Sequence, residues 1–320
     1  MSNYQKINQQ YKGKDIISLQ QFDTSSISQL FETTKHIITQ LNTNTIVPYL
    51  QNKLATLLFF EPSSRTISSF SASIKRLGGV TIEYQNPLET SSAVKGETFE
   101  DSIKVFETYS DIIIIRHFEN GSALRASNVA DIPVVNAGDG YGEHPTQALL
   151  DMYTIHQRFN TLENLTGLIA GDLLYGRTVH SLLRGLSFYK GNTIYLLSPK
   201  RLMLPEKDVK EYTKLGLKLI QIHDEEDIPK NCQFWYWTRV QKERFAIQEE
   251  YEKIKHSFII TPNLLKNQGN KNMIILHPLP RVGEIDPRID SDPRAWYLSK
   301  QMKNGMYIRM ALLSLITGAL

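Results

Sequence analysis

Nine apolar runs of five to eight residues recur along this chain, at residues 54–60, 80–84, 111–117, 132–138, 165–172, 192–199, 218–222, 234–239 and 272–278. Runs this short, rich in Ile, Leu, Val and aromatic residues, read as strands buried on both faces. Between some of them, residues 97–109, 146–159 and 178–189 carry the period of an amphipathic helix. Strands alternating with helices form parallel sheets covered by helices, an α/β fold. Nine strands fit two doubly wound sheets more easily than one. Polar residues at 157–165 separate the two series.

A parallel sheet releases its chain toward helices at one edge, and ligands collect where the strands end. Each unusual polar cluster here follows a run: "EPSSRT" (61–66), "RH" (116–117), "NAGDGYGEHPTQ" (136–147), "GDLLYGRT" (171–178), "TRVQKER" (238–244) and "HPLPR" (277–281). Their common placement predicts one site drawn from both domains, in the cleft between them.

The first cluster is the most informative. Apolar residues at Ile67, Phe70, Ile74 and Leu77 mark one helix face, and Gly78-Gly79 supplies a stop. Ser63, Ser64, Arg65 and Thr66 therefore sit where a strand turns into a helix. Unpaired N–H groups and the helix dipole favour an anion there, and Arg65 adds a fork suited to phosphate or carboxylate. A lone serine would be read as a helix cap; three hydroxyls beside an arginine favour an oxyanion site. In "HPTQ", Pro145 suits a first helical turn, which puts His144 and Gln147 at another helix start. His144 is there either a neutral hydrogen-bond donor or a plain cap.

"GDLLYGRT" is one residue from the phosphate loop of nucleotide hydrolases, with Arg177 where that loop needs lysine. Arginine does not replace that compact ammonium, so Arg177 reads instead as a carboxylate clamp. "TRVQKER" is either a solvated face or a loop over the cleft. The prolines of "HPLPR" remove backbone donors and leave carbonyls that can accept from an NH2 group, or they only tighten a turn. Lys95 lies on a hydrophilic loop with no evident role in its own chain.

Composition closes off other classes. Thirty-six Lys and Arg against 33 Asp and Glu give a charge of +3, too balanced for a nucleic-acid footprint. No stretch has the length of a membrane span or the core of a signal peptide, so a cytoplasmic, non-membrane protein is expected. The single cysteine, Cys232, excludes an internal disulfide and a multi-cysteine zinc site, and its apolar surroundings suit a buried thiol.

From about residue 11 to the C-terminus the chain resembles the transcarbamoylase family. "FFEPSSRT" is similar to the family's carbamoyl phosphate signature, "NAGDGYGEHPTQALLD" to its second shared motif, and "GDLLYGRTVHSL", "TRVQKER" and "HPLPR" to the marks of its aspartate branch. The resemblance implies transfer of the carbamoyl group of carbamoyl phosphate to the amine of L-aspartate, the committed step of pyrimidine (UMP) synthesis. It implies a carbamoyl phosphate-binding domain at residues 1–149, completed by a C-terminal helix at 300–320, and an aspartate-binding domain at 150–299. It implies a homotrimer with no metal or cofactor, and leaves regulatory chains open.

Carried onto this sequence, the resemblance gives Ser63, Ser64, Arg65 and Thr66 to the phosphate, and Thr66, Arg116 and His144 to the carbamoyl oxygen. Gln147 and the carbonyls of Pro278 and Leu279 would take the carbamoyl NH2. Lys95, Arg177, Thr178, Arg239 and Gln241 would bind aspartate, with Arg177, Arg239 and Gln241 on its two carboxylates. Ser91 and Lys95 would reach the site of a neighbouring subunit, the choice of Ser91 over Ser92 resting on spacing. Glu61, Arg177 and Arg244 look like the residues that pair on closure, although Glu61 also fits a solvated turn. Two positions depart from the family: Ser64 replaces its usual threonine and Ile67 its frequent arginine. The ornithine branch is disfavoured because it carries Ser-Met-Gly and a cysteine before Leu-Pro where this chain has "TRVQKER" and "HPLP". A non-catalytic scaffold is disfavoured because Arg65, Thr66, Lys95, Arg116, His144 and Arg239 are all present.

Overall fold

The computed structural model describes residues 4–86, 96–241, 245, 248–255 and 257–320. Ser91, Ser92, Lys95, Lys242 and Arg244 lie outside the described residues. Its contacts divide the chain into two units, Met1–Leu149 with Asn304–Leu320, and Leu150–Lys303.

In the first unit, β1 (Leu54–Phe59), β2 (Val80–Gln85), β3 (Ile112–His117) and β4 (Val134–Asp139) make a parallel sheet in the order β2-β1-β3-β4. Its helices are α1 (Thr24–Leu41), α2 (Ser64–Arg76), α3 (Phe99–Glu107) and α4 (Ser122–Val129). Helix α5 (Pro145–Phe159) then carries the chain onward. In the second unit, β5 (Thr166–Ala170), β6 (Thr193–Leu197), β7 (Lys218–Ile222), β8 (Phe234–Trp237) and β9 (Ile274–Leu276) are parallel in the order β7-β6-β5-β8-β9. Helices α6 (Arg177–Leu186), α7 (Glu206–Lys214), α8 (Gln248–Ile254) and α9 (Pro262–Asn267) belong to it, and α10 (Lys300–Thr317) ends the fold.

Each sheet reverses its strand order once, between β1 and β3 and between β5 and β8. Right-handed crossovers on the two sides of such a reversal put their helices on opposite faces, which is the doubly wound arrangement. Strand alternation then divides the core. On β8, Trp235 and Trp237 join Leu168 and Ala170 of β5 and Ile275 of β9 in one buried cluster. Phe234 and Tyr236, also fully buried, belong to the other face. In the first unit Leu58, Ile113, Ile115 and Val134 form the sheet side of a cluster closed by Ile103 of α3 and Ala123 and Ala126 of α4. No helix among the described residues is long and apolar enough to cross a membrane.

All nine apolar runs contain a strand, yet several strands stop short of their run. β5 ends at Ala170, β8 at Trp237 and β9 at Leu276, so Gly171-Asp172, Thr238-Arg239 and His277-Pro278 have left the ladder. The polar stretch at 157–165 covers the end of α5 and the turn after it, and the contacts divide the chain within that helix, after Leu149.

Gly171 holds the first of these departures in place. Its φ is +110°, and a Cβ there would lie 2.0 Å from the Thr238 carbonyl oxygen. Replacement by alanine combines a forbidden contact with an unfavourable dihedral, so Gly171→Ala should lose about 3 kcal/mol of unfolding free energy. A urea midpoint equal to that of the wild type would contradict this close approach.

Candidate active site

In the first unit the candidate residues lie at the carboxyl ends of adjacent strands β1, β3 and β4, in the last residues of β3 and in the turns and first helical turns that follow β1 and β4. Ser63 is the N-cap of α2 in extended conformation, but its side chain makes no capping bond. Its hydroxyl donates to Thr66 Oγ1 at 3.0 Å instead. The helix ladder begins with the Ile67 N–H to Ser63 O, so the N–H groups of Ser64, Arg65 and Thr66 fall outside it, at the positive end of the dipole. Ser64 and Arg65 are exposed, while Thr66 and Ile67 are buried. Next door, Arg116, the penultimate residue of β3, is almost completely buried; its Nη1 donates to Ala137 O at 3.2 Å and its Nη2 lies 3.0 Å from Glu61 Oε1. The turn after β1 and the end of β3 are thereby locked together, with Glu61 facing Arg116.

The loop from β4 to α5 is braced by buried polar side chains that the sequence reading passed over. Asp139 accepts from the N–H groups of Gly121 and Glu143, both at 2.9 Å. Asn136 Nδ2 donates to Ile17 O at 3.0 Å, and Glu143 accepts from Ser18 Oγ at 2.5 Å and the Leu19 N–H at 2.8 Å. So braced, the loop delivers His144, buried, to the cap of α5, where its carbonyl accepts from the N–H groups of Gln147 and Ala148. Arg309 of α10 ties this helix to α2: it donates to Ser69 Oγ at 2.7 Å and Thr146 Oγ1 at 3.4 Å, over the Phe70 ring.

In the second unit the loops follow adjacent strands β5, β8 and β9. Thr238 N donates to Ala170 O at 2.8 Å, its hydroxyl donates to the same carbonyl at 3.1 Å, and that hydroxyl accepts the Asp172 N–H at 3.0 Å. Asp172 in turn accepts the Tyr175 N–H, and Arg177 opens α6. After β8, burial alternates: Thr238 and Val240 are buried, Arg239 and Gln241 part-exposed.

The turn after β9 is held from behind by a histidine. Leu279, at φ +55°, precedes a cis Leu279–Pro280 bond. Its N–H donates to His277 Nδ1 at 2.8 Å, which leaves the imidazole proton on Nε2, 2.7 Å from Glu284 Oε1. Burial pushes the His277 pKa down. Burial alone would raise that of Glu284, but the His277 hydrogen bond and the Val282 N–H outweigh it and hold the carboxyl low. Cys232 is buried and its thiol is pushed up to about 12 by burial, so it is no nucleophile at neutral pH.

Comparison with known proteins decides the family. The model described as aspartate/ornithine carbamoyltransferase, carbamoyl-P binding domain, matches residues 14–157. The companion Asp/Orn binding domain matches residues 163–316. The chain belongs to the aspartate/ornithine carbamoyltransferase family. It is 42% identical over 308 residues to an aspartate carbamoyltransferase catalytic subunit of Hyperthermus butylicus, covering 96% of this chain and 97% of that one. It is 45% identical over 307 residues to the multifunctional protein pyr1-3 of Dictyostelium discoideum, of which it spans only 14%. Among solved structures, the catalytic subunit of M. jannaschii aspartate transcarbamoylase superposes with a TM-score of 0.87 at 38% identity, over 94% of this chain and 96% of that one. Trypanosoma cruzi aspartate transcarbamoylase in complex with carbamoyl aspartate and phosphate superposes with a TM-score of 0.89 at 36% identity, over 99% of each chain.

Within this carbamoyltransferase fold the described candidates group by unit. Glu61, Ser63, Ser64, Arg65, Thr66, Arg116, His144 and Gln147 fall in the first, and Arg177, Thr178, Arg239, Gln241, Pro278 and Leu279 in the second. Asn136, Asp139, Glu143, Glu284 and Arg309 are the residues sequence reasoning missed. Their signal is a polar side chain inside an apolar or glycine-rich stretch, a position that stays buried only when hydrogen-bonded.

The His277–Glu284 pair carries a pH signature. Both groups bind a proton more readily in the unfolded chain, so stability falls on acidification. The window for His277 opens below its ordinary 6.5 and that for Glu284 below 4.5. Urea midpoints followed from about pH 7.5 to about pH 5 should drop for the wild type and drop less steeply for His277→Gln. Parallel slopes would exclude a depressed His277.

Proposed function

We propose that this chain transfers the carbamoyl group of carbamoyl phosphate to the amine of L-aspartate, giving N-carbamoyl-L-aspartate and phosphate for pyrimidine synthesis. The observation that carries the reading is the placement of Arg177 and Arg239 on loops that follow adjacent strands, β5 and β8. Two guanidinium forks suit an acceptor with two carboxylates and repel the second ammonium of ornithine.

In this reading the start of α2, with Ser63, Ser64, Arg65 and Thr66, receives the phosphate. Thr66, Arg116 and His144 donate to the carbamoyl oxygen, while Gln147 and the carbonyls of Pro278 and Leu279 accept from its NH2. Arg177, Thr178, Arg239 and Gln241 hold aspartate. The amine attacks the carbamoyl carbon, negative charge gathers on the oxygen, and the carbon–oxygen bond to phosphate breaks. The departing phosphate dianion takes the amine proton. Catalysis then needs oriented donors and cations only. A single donor of this kind typically contributes ~3 kcal/mol, roughly a hundredfold or more in rate, and orientation of two bound substrates supplies up to about 10 kcal/mol. The family likeness further supports a homotrimer in which Ser91 and Lys95 serve a neighbouring subunit.

A colorimetric assay of carbamoylated product with either amino acid tests this. Product is expected from aspartate and none from ornithine. Arg239→Ala should raise the aspartate KM tens of times or more, the loss of a charge-assisted pair of about 2–3 kcal/mol. Turnover of ornithine, or an unaltered KM, sinks the assignment.

A further inference from the structure

One buried carboxylate of the second unit is linked by hydrogen bonds to two groups of the residues assigned to ligand. Asp151 of α5 is fully buried. It accepts from Tyr236 Oη at 2.9 Å and from Gln301 Nε2 at 2.7 Å. Tyr236 is also hydrogen-bonded to the side chain of Thr178, in the first turn of α6 beside Arg177. On the other side, Gln301 Oε1 accepts the His277 N–H at 2.9 Å. His277 receives the Leu279 N–H on Nδ1 and donates from Nε2 to Glu284, whose second oxygen takes the Val282 N–H at 2.9 Å. Leu279 sits at φ +55°, a conformation a leucine keeps only where its surroundings over-determine it.

Every polar atom along this path has one partner type it can accept. Leu279 N–H fixes the His277 tautomer, that tautomer fixes Glu284 as acceptor, and the His277 N–H fixes the amide orientation of Gln301. With its oxygen so engaged, Gln301 can only donate toward Asp151, which must therefore be an acceptor for both Gln301 and Tyr236. We propose that Asp151 is a positioning residue: through Gln301 and the His277–Glu284 pair it sets the direction of the Pro278 and Leu279 carbonyls, and through Tyr236 and Thr178 it sets the first turn of α6. The inference rests on the carbamoyl-transfer reading above for what those carbonyls and that turn bind.

The donor–acceptor logic supplies a self-rescuing test. Asp151→Asn presents an NH2 group to the Gln301 NH2 or to the tyrosine hydroxyl, and Gln301→Glu sets two carboxylates face to face. In the double variant the amide at 151 donates to the carboxylate at 301, whose other oxygen still accepts the His277 N–H. The pairings with the Tyr236 hydroxyl and the His277 N–H return, at unchanged net charge. Steady-state kinetics should show kcat at least about tenfold lower in each single variant and within about threefold of wild type in the double variant. The affinity for inorganic phosphate, whose proposed residues lie in the first unit, should stay within about twofold throughout. Single variants with wild-type kcat, or a double variant whose loss is the product of the single losses, overturn the proposal. If the wild type makes no carbamoyl aspartate, the functional reading fails by itself. The ring 15N shifts of His277 then decide: bare Nδ1 and protonated Nε2 in the wild type and double variant, perturbed in the singles, supports the relay, and unperturbed singles overturn it.

Discussion

The reversal of strand order in each sheet is the constraint on which the rest depends. Where the chain turns back, between β1 and β3 and again between β5 and β8, successive loops leave neighbouring strands for helices on opposite faces. They part at the carboxyl edge, and the opening they leave cannot be filled by either helix layer. The start of α2 and Arg116 occupy one such opening; Arg177 and Arg239 occupy the other. Backbone N–H groups and arginines meet there because the topology brings them there.

An opening of this kind is polar on its floor, and the floor has to be built. Asp139, Asn136, Glu143 and Arg309 in the first unit, and Asp151, Gln301, His277 and Glu284 in the second, are all buried or nearly so and all hydrogen-bonded. Buried groups of this sort cost desolvation and add little net stability, so their value lies in fixing loop geometry. Apolar residues of equal volume would pack as well but would not decide where a carbonyl or an imidazole points. The strained leucine after His277 shows the effect most directly, since one ring nitrogen receives its N–H.

Much of this was legible in the sequence. The nine runs give nine strands because Ile, Val and aromatic residues in short blocks between turn residues have few other options. The start of α2 was legible because Ser63 to Thr66 precede an apolar helix face, and Ile67 is indeed buried on that face. Strand ends were less legible. Gly171, Thr238 and His277 read as continuations of their runs, but the strands end at Ala170, Trp237 and Leu276, where Gly171 takes a left-handed φ and the Thr238 hydroxyl and a His277 ring nitrogen accept N–H groups of the loops. The polar braces were least legible, because Asp151, Gln301 and Arg309 act through partners tens to hundreds of residues away, and pattern alone carries no such pairing.

The protein is a frame for two small molecules, with the acceptor amine as the nucleophile and no covalent enzyme. That claim is tested most directly by incubating the protein with carbonyl-labelled carbamoyl phosphate in the absence of aspartate, then adding the acceptor. Label should stay off the protein, phosphate should be released no faster than in buffer, and label should move into carbamoyl aspartate only after the acceptor arrives. A burst of phosphate equal to the enzyme, with label retained on the denatured chain, would contradict the account.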